Sequence, residues 1–471
     1  MTGDALDSLT LAGAARRIRS GQLSPVDLTE RVLERIERLN PKTNAFIRVT
    51  GDSALAAARE VERTLAKGKE AGPLAGVPIS LKDLFDTAGV PTTAGSRVFA
   101  GRIPPTDAAV VAKLKAAGAV IVGKTNLHEF AYGVTSVNPH YGPVRNPWDP
   151  ERISGGSSGG SAVSVALAMA LGSVGTDTGG SIRIPSALSG TVGLKPTYGR
   201  VSGTGVLPLA WSFDTFGPIT RTVEDAALML EVIAGFDVSD PRTEWAPASG
   251  YVSEHLEDGV RGLRFGVPRN AFDRTDPEVA SLVRAALGRL ESLGAALVDV
   301  DLAGQERHEP VFRDMAGFEV LAFHEDYLAQ TPEAYGPDTR ARIERGRQVA
   351  PRDYLAARRE RMRLQNELHE CFEEVDLVAL PTLPLTAPRI GEDPVAIGDL
   401  TEPVLSALTR NNRLFSVTGV PAISVPCGLT SSGLPVGLQI AGRMFDETRV
   451  LRAAWAYEQD AEWERRLPAL S

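Results

Sequence analysis

Three polar residues in this chain stand where polar residues are uncommon. Lys82 follows the apolar run Val77-Pro78-Ile79-Ser80-Leu81 and precedes Asp83-Leu84-Phe85. A lysine at the end of a buried strand is rare unless it is paired, as Asp83 would allow, or snorkels its head into water. Ser157 lies in Gly-Gly-Ser-Ser-Gly-Gly (155–160), and Ser181 ends Thr-Asp-Thr-Gly-Gly-Ser (176–181). Two glycines before a serine let backbone N–H groups converge on one point, which suits a developing oxyanion. The plainer role for such a serine is a helix N-cap. A serine hydroxyl attacks a carbonyl only with a base in hydrogen-bond reach, and a lysine is that base only when neutral.

Two familiar motifs match in letters and fail on context. Gly118-Ala119-Val120-Ile121-Val122-Gly123-Lys124-Thr125 fits the phosphate-loop pattern. That loop follows a strand and keeps open backbone between its glycines. Here a buried strand fills the space and a helix precedes it, so nucleotide binding is not expected. The six-residue glycine-serine run also fits Gly-x-Ser-x-Gly, centred on Ser157 or Ser158. A nucleophile elbow needs a strand before it and an acid and a histidine after it. Residues 149–154 make a poor strand, and His255, His308, His324 and His369 read as surface histidines in polar segments. The histidines show no HxH or HExxH spacing, so no metal site is expected.

The elements that must hold these residues alternate in type. Ser24-Pro25 is an N-cap with proline at the first helical position, and Leu28, Val32, Ile36 and Leu39 recur at helical spacing until Asn40-Pro41. Residues 52–69 and 108–117 read as helices, and 77–81 and 119–122 as short buried strands. Residues 161–171 form an alanine-rich helix. Strands at 263–267 and 297–300 flank a helix over 276–293. Late strands are expected at 375–380, 422–425 and 436–440, before a closing helix at 448–458. This alternation gives an α/β core.

Glycine is the compositional anomaly: 46 in 471 residues, of which 13 fall within 151–205. A flexible linker is the ordinary reading of a glycine-serine run. Here the run alternates with buried-looking segments and carries few charges, so it reads as packed backbone at close quarters. Length alone suggests two or three domains, but no repeat or linker-like shift divides the chain. One domain over 1–471 is expected, with the polar helical stretch 305–370 as a candidate cap. A formal charge of −9 argues against nucleic acid as a partner. The absence of 18 consecutive apolar residues argues against a membrane span. Cys371 and Cys427 are far apart, and there is no signal-peptide pattern, so a soluble cytoplasmic protein is expected.

Residues 155–202, from Gly-Gly-Ser-Ser-Gly-Gly through Lys-Pro-Thr-Tyr-Gly-Arg-Val-Ser, strongly resemble the signature of the amidase signature family. So do 76–96, 123–133, 212–230 and 419–428. The resemblance implies a large, mixed, twisted β-sheet covered by helices on both faces. It also implies a Ser-Ser-Lys triad with Ser181 as nucleophile, Ser157 as bridging serine and Lys82 as base. The backbone N–H groups of Thr178, Gly179, Gly180 and Ser181 would form the oxyanion hole. No metal or organic cofactor is implied. The implied partner is a small-molecule amide, and the implied state is monomer or homodimer.

Within that family the first half of the chain looks like the glutaminase component of glutamine-dependent tRNA amidotransferases. The second half does not. An acid expected there to hold glutamine's amino group is replaced by Thr409, beside Arg410, and no acid lies between Glu402 and Val420. A stand-alone amidase is therefore expected, with aryl amides and carbamates in its range, and the glutaminase component is the alternative. Specificity would lie in 130–150, 205–215 and 305–410, with Phe130, Tyr132, Leu207, Trp211 and Phe312 as candidate pocket residues, each equally at home in an ordinary core.

Overall fold

The computed structural model describes residues 4–247, 253–302, 304, 306–461, 468 and 470. Short apolar runs form 11 strands of one sheet. In chain order they are β1 (Phe46–Val49), β2 (Pro78–Lys82), β3 (Val120–Thr125), β4 (Gly172–Asp177), β5 (Val192–Lys195) and β6 (Thr215–Thr220), followed by β7 (Arg264–Pro268), β8 (Ala296–Val300), β9 (Leu377–Pro381), β10 (Ala422–Leu429) and β11 (Pro435–Ala441). Their spatial order is β1-β3-β2-β4-β6-β5-β10-β11-β9-β7-β8. The sheet is mixed. β2 runs parallel to both β3 and β4, whereas β4 and β6 pair antiparallel. Every residue of β2, β3, β4 and β6 is buried, while β1 and β8 at the edges are partly exposed. Strands buried along their whole length require cover on both faces, and the helices supply it.

The sequence reading holds for most elements and fails at identifiable points. Residues 118–125 are a glycine turn and β3, preceded by the helix Ala109–Ala116, so the phosphate-loop match is helix followed by strand. The helix that begins at Pro25 does not stop at Asn40-Pro41. It runs to Thr43, and Asn44 closes it with φ 55° and an N–H bond to the Asn40 carbonyl. Pro41 falls in the last turn, where its missing N–H removes a single ladder bond. The expected helix over 161–171 is shorter, Gly159–Ala166, and a turn with Ala168 at φ 49° leads into β4.

Residues 308–374 hold three helices, His308–Gln330, Pro337–Glu344 and Pro351–Glu374. They cover an apolar cluster that includes Phe130, Phe213, Phe312 and Leu364. This cluster corrects the histidine reading. His308 and His324 are buried, and His324 packs between Phe130 and Tyr335 with Nδ1 3.0 Å from the tyrosine oxygen. Charged residues on the outer turns of this long helix mask its buried face in the sequence. His255 and His369 are exposed, as expected. Among the described residues, no helix is long and apolar enough to cross a membrane.

The glycine-rich block is packed tightly. The Gly160 N–H donates to the Asn126 carbonyl at 3.0 Å. A Cβ on Gly160 would stand 2.3 Å from the Ala45 carbonyl oxygen and 2.4 Å from that of Asn126. Backbone on both sides cannot yield cheaply, so Gly160→Ala is expected to destabilise the fold by about 1–3 kcal/mol. Gly288 sits inside the helix Pro277–Ser292 with open space around its α-carbon. Gly288→Ala is expected to stabilise by about 0.5–1 kcal/mol. Melting temperatures of the two variants, moving in opposite directions, are the check.

Candidate active site

The fold brings three separate segments to one point. β2 delivers Lys82, the 154–158 turn delivers Ser157, and the turn after β4 delivers Ser181. Lys82 has no exposed surface. Its Nζ lies 2.7 Å from Ser157 Oγ, 2.9 Å from Ser158 Oγ and 2.7 Å from Thr176 Oγ1. The Ser158 hydroxyl already donates to the Thr176 carbonyl at 3.2 Å, so Ser158 Oγ accepts from the lysine. A neutral amine has two N–H donors and one lone pair, which matches three hydroxyl neighbours. Burial pulls the Lys82 pKa down to about 7, against the opposing pull of Asp177 and Asp214. Asp83 does not pair with Lys82. It lies 3.2 Å from Lys124 Nζ and accepts from the N–H and hydroxyl of Thr93.

Ser181 is not a helix cap. The helix Arg183–Ser189 starts two residues later, with Ile182 before it and no side-chain cap. The Ser181 carbonyl accepts the Ser158 N–H at 3.2 Å, tying the two serine segments together. Among the described residues no hydrogen bond joins the hydroxyls of Ser181 and Ser157. Catalytic contacts in unliganded sites are often looser than in the reacting complex.

The backbone after β4 is shaped by Asp177. Its carboxylate accepts the Gly180 N–H at 2.8 Å and the Ile182 N–H at 3.2 Å. Arg183 grips it through Nε at 3.0 Å and Nη2 at 2.9 Å. Burial alone would raise this carboxyl, but Arg183, Lys195 and the Ile182 N–H bring it down to about 2. Gly180 stands at φ 126°, which an L side chain rarely adopts, and a Cβ there would strike Ile184 and Asn412. Of the four N–H groups expected at an oxyanion, that of Gly180 is therefore occupied by Asp177. Those of Thr178, Gly179 and Ser181 carry no hydrogen-bond partner among the described residues. Thr178 is held through its side chain, whose Oγ1 donates to Asp214 at 2.6 Å. Asp214 also accepts the N–H groups of Leu209 and Ala210, and burial raises its carboxyl to about 6.

The five candidate pocket residues separate. Phe312 stands beside the loop, with its ring 3.3 Å from where a Cβ on Gly179 would be. Phe130 is deep in the aromatic cluster with Phe99, His324 and Tyr335. Tyr132 is half-buried, and its carbonyl accepts from Arg342 at 3.3 Å. Leu207 is half-buried and bonds the Leu84 carbonyl, while Trp211 is 43% exposed. Thr409 spends its hydroxyl on the Leu405 carbonyl, and Arg410 turns to Glu402. The sequence reading missed Ser158 and Thr176 as lysine partners, although both lie in the glycine-rich block. It also missed the Asp177–Arg183 anchor and Arg413, whose Nε lies 3.6 Å from the same Cβ position on Gly179.

Comparison with known proteins agrees with this architecture. The family model for amidases matches residues 27–451. An amidase of Pseudomonas putida is 45% identical over 468 residues, covering 99% of this chain and 98% of the relative. The glutaminase component of the glutamyl-tRNA(Gln) amidotransferase of Myxococcus xanthus is 42% identical over 487 residues, covering 98% of this chain and 99% of the relative. The crystal structure of a bacterial aryl acylamidase of the amidase signature family superposes with a TM-score of 0.89 at 29% identity, covering 98% of each chain. With a family match over most of its length and relatives this similar across all of it, the chain belongs to the amidase signature family of amide-hydrolysing enzymes.

Proposed function

We propose that this protein is a stand-alone amidase that hydrolyses the C–N bond of a carboxylic amide through an acyl-enzyme on Ser181. The observation that carries this reading is the buried Lys82 amine, 2.7 Å from Ser157 Oγ and without a carboxylate among its hydrogen-bond partners. Ser181 Oγ bonds to the amide carbon as its proton passes to Ser157 and the Ser157 proton passes to Lys82 Nζ. The oxyanion is held by N–H groups of the 178–181 loop. On collapse the C–N bond breaks, Ser157 protonates the leaving nitrogen, and Lys82 returns a proton to Ser157. Water then attacks the ester by the same relay and releases the carboxylic acid. An amine is a poor leaving group, so its protonation is required. Aryl amides and carbamates present the same reacting centre.

The glutaminase reading has support in relatives such as that of Myxococcus xanthus. Against it stands the side chain at 409, a threonine whose hydroxyl is bonded to its own helix. A panel of anilides, primary amides, carbamates and glutamine separates the two. Turnover of several amides by the chain alone is expected, and turnover of glutamine alone, dependent on a second protein, overturns the stand-alone reading.

Ser181→Ala is expected to lower kcat/KM by about 10⁴-fold or more and to abolish labelling by a serine-directed phosphonate, with an unchanged melting curve. Near-normal turnover would remove Ser181 from the mechanism. Lys82→Ala is expected to cost several orders of magnitude, and retained activity at neutral pH would place the base elsewhere. Because the relay needs neutral Lys82, kcat/KM of the wild type is expected to rise with pH and level off above about 7. A flat profile from about pH 5 to 8 would contradict a lysine base.

A further inference from the structure

One cation at this site takes part in no step above. Arg413 opens the helix Arg413–Thr418 and is 4% exposed. Its Nε is buried without a hydrogen-bond partner among the described residues. The guanidinium lies over the Phe312 ring, 4.4 Å from its centre. Stacking satisfies the face of the guanidinium and leaves its in-plane N–H groups in need of acceptors. Its ion-pair partner is Glu309, whose side chain is half-exposed at the rim. A buried donor left open beside a reacting loop is a cost that a bound acceptor relieves.

We infer that Arg413 holds a carboxylate on the acyl side of the substrate, so that the site takes the monoamide of a short dicarboxylic acid. The inference rests on the amidase reading above. Ser157 has to face the leaving nitrogen, whereas Arg413 and Phe312 stand against Gly179, in the loop that holds the carbonyl. The part of the substrate beside Arg413 is then the part that stays on Ser181. Phe312 and Phe213, with ring centres 5.4 Å apart, offer an apolar wall for a methylene spacer. The surroundings are cationic: Arg342, Arg413 and Arg345 all act on the Tyr132 hydroxyl. The acids that answer them, Glu309 to Arg413 and Asp338 to Arg342, are the more exposed partner of each pair and can give way to a substrate carboxylate.

The test compares succinamate with its uncharged counterpart butyramide, and follows succinate binding to Ser181→Ala protein by calorimetry. The wild type is expected to favour succinamate by about 10- to 150-fold in kcat/KM, the range for a hydrogen bond to a charged group. Arg413→Gln is expected to bring that ratio close to one and to abolish succinate binding, while Arg413→Lys keeps part of both. A purely structural role lowers both substrates together and leaves the ratio intact. Glu309→Gln removes the competing acid and is expected to tighten succinate binding, and this decides the matter if Arg413→Gln does not fold. Equal use of the two amides, or succinate affinity unmoved in both variants, overturns the carboxylate site. If butyramide is hydrolysed and Ser181 labels normally, that failure leaves the amidase reading standing. If no amide is hydrolysed while succinate binding still depends on Arg413, the amidase reading fails and the anion site stands.

Discussion

A lysine with no exposed surface keeps its proton at neutral pH only where a counter-charge or strong acceptors replace the water it has lost. Lys82 has three hydroxyls around its nitrogen and no carboxylate in hydrogen-bond reach. Burial therefore wins, and the group titrates near 7. Between about 7 and the ordinary lysine value, the unfolded chain binds a proton that the folded chain does not. Stability is lost as the pH falls through that window. The fold accepts this in exchange for a base that is free where the chemistry needs it. Packing around the amine follows the same constraint, since hydroxyls must approach closely and larger side chains would hold them away. Gly160, pressed between two carbonyl oxygens, shows how little room remains.

Two carboxyl groups nearby threaten that arrangement, because each favours the charged form of Lys82. They are handled differently. Asp177 is fully ionised but is engaged by Arg183 and by the N–H groups of Gly180 and Ile182, so its charge is spent on shaping the loop. Asp214 has no such cation in contact, and burial pushes it up to about 6. Arg183 in turn reaches the Asn412 carbonyl at 3.0 Å and the Gln439 side chain at 2.7 Å. The loop that carries Ser181 is thus braced from β11 and from the turn before residue 413, far along the chain. Phe312 and Arg413 approach Gly179 from the same later half.

This division explains what can be read in the sequence. Lys82, Ser157 and Ser181 lie in compact motifs whose spacing and glycine content are visible in one dimension, and the strands that carry them are short apolar runs. The acyl side of the site is assembled from Phe312 on one helix and Arg413 on another, and only the folded chain brings them together. Phe312 is legible as an aromatic in the right segment, but its proximity to Gly179 is not. The side chain at 409 is bonded to its own helix, while the cation that reaches the loop stands four residues on. His308 and His324 are obscured for a related reason. Their helix is charged on its outer turns, so local polarity hides a face buried against Phe130 and Arg413.

Burial of a lysine does not by itself identify the base, and three lysines of this sheet make the point. Lys124 sits in β3 with no exposed surface, but Asp83 at 3.2 Å gives it a counter-charge. Lys195 at the end of β5 is equally buried and is likewise brought down to about 7. Its nitrogen meets the Pro196 carbonyl at 2.9 Å, an acceptor that has no proton to give. A neutral amine there has nothing to deprotonate. Lys82 alone of the three combines a depressed pKa with a serine hydroxyl at 2.7 Å, and the backbone of that serine's neighbour bonds the Ser181 carbonyl. Burial sets the protonation state, and the identity of the partner decides whether that state can be used.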